Sequence, residues 1–292
     1  MRQLVVLSGK GGTGKTTVTA ALAHLASQSS SVTLVDADVD APNLELLLQP
    51  RTISNTPFFA GKKVTIDASL CNACGRCEEV CRYGAIARCA KVYRIAPLDC
   101  EGCASCFYTC PTGAIRMQDN LAGYCLRSDT RFGSLFHARL LPGAENSGKM
   151  VSALRQQAFS LAQEWGADWV MIDGAPGIGC PVIAAVTGTH MALIISEPTV
   201  SGVHDLKRAL QVCEHFGVPA AVGINKADLN PAKADEISDY CLQHSVPLIA
   251  KIPYDMVVMQ AMRQSCAVTE LGENAVASEI RSLWATLREG VR

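Results

Sequence analysis

Aromatic side chains are scarce in this chain: Phe, Trp and Tyr together make up 5% of 292 residues. Surfaces that stack single-stranded bases are built from such rings, so none is expected. Charge of either sign is equally sparse. Twenty-six Lys and Arg face 27 Asp and Glu, a formal net charge of −1 at pH 7. That balance leaves no electrostatic footprint for nucleic acid. The opening strand-like QLVVLS at 3–8 runs straight into a glycine loop, without the charged and apolar regions of a signal peptide. No run of about 18 apolar residues follows. A cytoplasmic protein with no membrane partner is therefore expected. The six histidines show no metal-ligand spacing.

Apolar residues and cysteine are present in quantity. An apolar fraction of 49% against 18% charged supports a sizeable core. The length suits one large α/β domain, or one domain with an insert. Fourteen cysteines in a cytoplasmic chain argue for metal ligation or redox chemistry rather than a disulfide scaffold.

Short β-branched runs alternate with longer helical stretches. The patterning predicts strands at 3–8, 32–36, 168–173, 190–196, 219–225 and 247–252. Most are continuously apolar, as parallel strands covered on both faces are. Helices are predicted at 15–29, 149–165, 180–188, 202–217, 231–244 and 274–289. The alternation implies an α/β fold with a doubly wound, mostly parallel sheet. Residues 58–118 break the pattern with cysteine, glycine and hairpin material, and read as a domain inserted into one formed by 1–57 and 119–292. The stretch 121–142 looks like an antiparallel strand pair returning to the sheet, with Pro142-Gly143 as a turn beyond it.

GKGGTGKT at 9–16 follows a strand and opens a helix, the context a phosphate-binding loop requires. Backbone N–H groups of Gly11, Gly12, Thr13 and Gly14 can wrap phosphates, and the helix N-terminus that carries Lys15, Thr16 and Thr17 adds its dipole. Lys15 is expected on the β- and γ-phosphates, and the Thr16 hydroxyl on Mg²⁺.

The cysteines are concentrated in CNACGRCEEVC at 71–81 and CEGCASCFYTCP at 100–111, the same unit twice, an internal repeat of roughly 29 residues. Both have the C-x₂-C-x₂-C-x₃-C spacing of a bacterial two-cluster ferredoxin module, in which the fourth ligand of each run serves the other cluster. One 4Fe-4S cluster is expected on Cys71, Cys74, Cys77 and Cys110, the other on Cys100, Cys103, Cys106 and Cys81. Zinc in Cys₄ sites is the alternative, though such sites generally use separated C-x₂-C pairs. The first run departs from the pattern at Arg82, where the second has Pro111. Cys89, Cys125, Cys213, Cys241 and Cys266 read as buried small residues.

With Lys10 in its loop, KGGTGKT resembles the deviant Walker A of the MinD/ParA/Mrp and nitrogenase iron-protein group of SIMIBI P-loop ATPases. The resemblance implies that Lys10 contacts phosphate across an ATP-dependent homodimer. It makes Asp38 of VDADVDAPNL the switch I aspartate that positions the attacking water, and Asp173 of MIDGAPGIG the Walker B and switch II aspartate. Asp40 reads as a loop cap. Asn225 of VGINKAD would meet the purine edge. Asp228 hints at guanine, but the rest of the signature favours ATP. Pro253 of KIPYD lies in the loop that flanks the base in this group. Cys180 has the spacing of a cluster cysteine in nitrogenase-type iron proteins, without a clear second cysteine. The C-x-x-C of Mrp-type carriers is missing outside the insert, and the last helix lacks the basic face of the MinD membrane helix. Its stripe (Val276, Ile280, Leu283, Trp284, Leu287) reads as packed on the sheet.

The whole resembles MinD-superfamily ATPases that carry two 4Fe-4S clusters. That implies an ATPase whose nucleotide switch gates electron transfer to a redox or metalloprotein partner. An assembly or maturation ATPase for iron–sulfur or other metal sites is the alternative, and a ParA/MinD-like positioning switch the third.

Overall fold

The computed structural model describes residues 1–144 and 147–290; the end of the region expected to reach 292 lies outside them. In chain order the elements are β1 (Arg2–Ser8), α1 (Lys15–Ser27), β2 (Val32–Asp36), α2 (Leu44–Leu48), β3 (Arg51–Ile66), α3 (Arg76–Glu79), β4 (Ile86–Cys89) and β5 (Val92–Ile95). There follow α4 (Ser105–Thr109), β6 (Ile115–Thr130), β7 (Gly133–Leu140), α5 (Ser147–Trp165), β8 (Trp169–Pro176), α6 (Cys180–Val186) and β9 (Met191–Ser196). Last come α7 (Val200–His215), β10 (Ala220–Asn225), α8 (Pro231–Gln243), β11 (Leu248–Ile252), α9 (Val257–Arg263) and α10 (Ala275–Glu289).

These elements form two units. The first holds Met1–Thr56, Cys125–Arg139 and the chain from Ser147 onward. Its sheet is ordered β11-β10-β9-β1-β8-β2-β7-β6-β3. From β11 to β7 the recorded pairs are parallel, with Leu4 opposite Met171 and Met191. Continuous burial makes this possible: Leu4, Val5, Val6 and Leu7 are all at most 1% exposed, because helices cover both faces. On one face α1 and α10 pack Leu22, Ile280 and Leu283 against Leu4, Leu34 and Met171. The predicted stripe of α10 is buried along its whole length, and Trp284 meets Trp169 at 5.1 Å between ring centroids.

β6 and β7 are joined only by Arg131 and Phe132, so they run antiparallel. Gly133, at φ +143°, starts β7 where a Cβ would collide with the Val32 carbonyl of β2. β3 also runs antiparallel to β6, since Arg51 pairs with Asp129, Lys62 with Asp119, and Asp67 N–H with the Ala114 carbonyl. Both strands pass from the first unit into the second.

The second unit comprises Pro57–Tyr124 and the short stretch that begins at Leu140. Its small core joins Val64, Ile86, Tyr93 and Ile115 to Cys77 and Cys106. The sequence repeat is a backbone repeat too. Left-handed residues recur at matching places: Ala73 (φ +57°) and Gly102 (+63°), Gly75 (+85°) and Ala104 (+67°), Gly84 (+63°) and Gly113 (+64°). The turn N–H of Glu78 bonds Gly75 O at 3.0 Å, and that of Phe107 bonds Ala104 O at 3.0 Å.

Candidate functional site

α1 begins at Lys15 without a side-chain cap, so its first-turn N–H groups stay open at the carboxyl end of β1. Gly14 precedes it at φ +90°, and a Cβ there would run into the Asn225 amide. Only glycine fits. A cavity of about 870 Å³ opens over this loop, lined by Gly11–Val18, Asp38, Asp40, Asn225, Pro253 and Tyr254 among others. The loop residues, Asp38, Asn225 and Pro253 thus share one cavity. Lys10 and Asp173 lie beside it.

Buried charge is concentrated at the loop's base. Lys15 Nζ sits 2.9 Å from Asp173 Oδ1, with the two side chains 6% and 1% exposed. Thr16 Oγ1 donates to Asp173 Oδ2 at 2.7 Å, and Thr19 Oγ1 to Oδ1 at 3.0 Å. Burial pulls the Lys15 pKa down, but the carboxylates of Asp173, Asp36 and Asp38 outweigh it and hold the ammonium above its ordinary range. Burial raises Asp38, with Lys15 opposing.

Asp36 is fully buried; its oxygens accept the N–H groups of Asp38 at 3.1 Å and Leu44 at 3.0 Å, which fixes α2 to the end of β2. Burial, then the Asp173 charge, pushes its carboxyl from 3.8 to about 8. The folded chain therefore holds a proton that the unfolded chain releases. This contribution to stability is complete below about pH 4 and is lost as pH rises through about 8. Asp36→Asn leaves one acceptor oxygen for two N–H groups. It is expected to cost about 1–3 kcal/mol at pH 5 and to flatten the fall between pH 5 and 8, read from denaturant midpoints.

Lys10 is held by residues at and after the end of β9. Its Nζ lies 3.2 Å from Glu197 Oε2 and 3.3 Å from both Thr199 Oγ1 and Ser201 Oγ. The other Glu197 oxygen takes Lys226 Nζ at 2.5 Å. Asn225 donates to the Thr13 carbonyl at 2.7 Å and accepts from Lys226 N–H, so part of its amide is engaged within the chain. Asp228 accepts the Tyr254 N–H at 2.7 Å and fixes the loop after Pro253. Asp40 is exposed at the rim. Glu197, Thr19 and Lys226 were not singled out in the sequence. Glu197 follows the carboxyl end of β9, where ligands gather in open α/β sheets, and that position was the available signal.

The second unit holds two cavities. One, about 20 Å³, is lined by Cys71, Cys74, Cys77 and Cys110 with Pro111 and Thr112. The other, also about 20 Å³, is lined by Cys81, Cys100, Cys103 and Cys106 with Tyr83. All of these thiols are free. Among the described residues no group of three or more His, Cys, Asp or Glu is gathered closely enough to hold a metal ion. Burial pushes Cys77 and Cys106 up, while hydrogen bonds at Ser105 draw Cys103 down. Cys125, Cys213 and Cys241 are buried as expected, but Cys266 is only half-buried and Cys89 is exposed, at the end of a strand in which only Ile86 is covered. Cys180 is exposed at the start of α6. No described helix is long and apolar enough to cross a membrane.

Comparison with known proteins agrees with the nucleotide loop. An uncharacterized protein of Methanocaldococcus jannaschii is 29% identical over 287 residues, covering 98% of this chain and 96% of that one. A cytosolic Fe-S cluster assembly factor Nubp1 homolog of Drosophila willistoni is 22% identical over 284 residues, covering 89% and 73%. The septum site-determining protein MinD of Pyrococcus horikoshii, solved in complex with Mg-ADP, superposes with a TM-score of 0.61 at 19% identity, covering 99% and 98%. That likeness gives the fold: an α/β P-loop NTPase with a mostly parallel central sheet. The family model for the CobQ/CobB/MinD/ParA nucleotide binding domain matches residues 4–265. The chain belongs to that family and is a MinD/ParA-type P-loop ATPase.

Proposed function

We propose that the protein is an ATP-dependent dimer switch whose second unit carries two 4Fe-4S clusters, and that it gates electron transfer to a redox or metalloprotein partner. The observation that carries this reading is the crossing of the cysteines. Each cavity takes three from one run and the fourth from the other. Zinc suits the two runs less well, because Cys₄ zinc sites generally use separated C-x₂-C pairs rather than triplets. Filled, the two sites supply one-electron chemistry.

The nucleotide half of the reading rests on this chain's own groups. The open N–H groups before α1 and the raised Lys15 ammonium bind phosphate. The Thr13 hydroxyl, 2% exposed and without a partner among the described residues, faces the same loop and has hydrogen bonds to give. Thr16 and Asp173 would hold Mg²⁺, which neutralises phosphate charge when bound. Asp38 orients the attacking water, and Lys10 leaves Glu197 to reach phosphate in the dimer.

A test follows from gating. Reduction of a one-electron acceptor by the loaded protein is expected to change at least threefold between ATP-bound and nucleotide-free states. Equal rates, or a Lys15→Ala variant that still responds to ATP, sink the reading. The assembly reading is favoured by the similarity to the Nubp1 homolog. Its mark is transfer of iron and sulfide to an apo-acceptor, absent in Lys15→Ala.

A further inference from the structure

The two cysteine cavities are built from one repeated unit, so each serves as an internal control for the other. In the first copy Cys77 is followed by Glu78 and Glu79; in the second, Cys106 is followed by Phe107 and Tyr108. The fourth cysteine crosses over. Tyr83, two residues after Cys81, therefore comes to the second cavity, while Pro111 and Thr112 come to the first. Tyr83 thus joins the cavity whose Cys106 is followed by Phe107 and Tyr108, while Tyr93 lines the first. Tyr83 and Glu101 both line the second cavity. The turn that carries Leu98 is held beside it by the Ala96 N–H to Ala85 O bond at 2.7 Å.

These side chains are not used inside the protein. Leu98 is 95% exposed, Tyr108 80% and Tyr83 53%. Phe107 packs edge-on against Tyr108 with centroids 5.2 Å apart, which stiffens the pair. Aromatic and arginine side chains are the groups enriched in interface hot spots. Nothing in the fold calls for them here, since the same helix position in the first copy carries two acids. The charge leans positive as well: residues 82–101 carry Arg82, Arg88, Lys91 and Arg94 against Asp99 and Glu101, and all six are exposed. The cations lie on or beside the β4–β5 hairpin, which leads from Cys81 to Cys100.

We propose that the rim of the second cavity is the docking surface for an acidic partner protein, with Leu98, Tyr83 and Tyr108 as the apolar centre and the hairpin cations as the charged border. Complementary charge commits the surface to an anionic protein. The proposal rests on the electron-gating reading only for what that partner exchanges. It names the second cavity as the one presented to it.

The probe is a flavodoxin, a small acidic one-electron carrier, titrated calorimetrically against the iron-loaded full chain at low ionic strength. Binding is expected, and added salt weakens it. Tyr108→Ser and Arg94→Glu are each expected to weaken it at least tenfold, and Arg94→Glu also flattens the salt dependence. Glu79→Ser, at the matching place by the first cavity, changes binding less than twofold. Iron and sulfide are measured on each sample, so a variant that has lost its fold is recognised. Absence of binding, or equal loss from Glu79→Ser, overturns the proposal. So does loss of binding to phosphatidylglycerol vesicles in the same variants with flavodoxin unaffected, which would assign the face to a membrane. Flavodoxin binding by a chain that never takes up iron would defeat the cluster reading and leave the docking surface standing.

Discussion

Replacing Lys15 with alanine is expected to abolish ATP hydrolysis and to destabilise the nucleotide unit by about 3–5 kcal/mol. The second effect is the less obvious one. Lys15 and Asp173 face each other at 2.9 Å, almost wholly buried. Removing the ammonium strands a carboxylate among two hydroxyls, those of Thr16 and Thr19. Loss of one partner of a buried pair costs far more than the pair contributes. Activity assays on this variant therefore mix a missing phosphate ligand with a weakened fold, and a control separates them. The double variant Lys15→Ala, Asp173→Ala is expected to regain much of the stability and none of the hydrolysis. Chemical denaturation read beside phosphate release measures both. A single variant as stable as the parent would show that the ion pair is not what closes the base of the loop.

Cysteine replacements are expected to act in crossed pairs. With both sites filled, about eight iron atoms per chain are expected. Cys81→Ala should leave about four, as should Cys100→Ala, and so should the two together, because both line the second cavity. Cys81→Ala combined with Cys77→Ala should leave almost none, since Cys77 lines the first. An uncrossed arrangement reverses the pattern: the pair drawn from 77 and 81 would be the mild one. Anaerobic iron and sulfide analysis distinguishes the two.

Sequence pattern reached some of these features and not others, for physical reasons. The central strands were legible because both their faces are covered. Apolar runs such as LVVL at 4–7 announce themselves without a partner. β3 was not, because almost all of its residues are exposed and it contains Pro57 and Gly61. Its pairing with β6 makes it a strand, and pairing leaves no periodic mark. The short α2 went unread for a similar reason. Its start is fixed by Asp36, whose carboxyl oxygen takes the Leu44 N–H eight positions away. The phosphate loop was plain, since its spacing encodes its geometry. The resting position of Lys10 was not, because Glu197 lies far along the chain and belongs to no motif.

The two long strands have a consequence for construction. β3 carries the chain out of the nucleotide unit at Thr56, and β6 brings it back at Cys125. Because the strands are antiparallel neighbours, the exit and the return lie side by side. Residues 57–124, the larger part of the second unit, therefore form a cassette with adjoining ends, and adjoining ends are what make a segment portable. A short turn joining 56 to 125 would close the sheet as an ordinary hairpin. The same cassette, set between two paired strands of another protein, would bring its cysteines along in register.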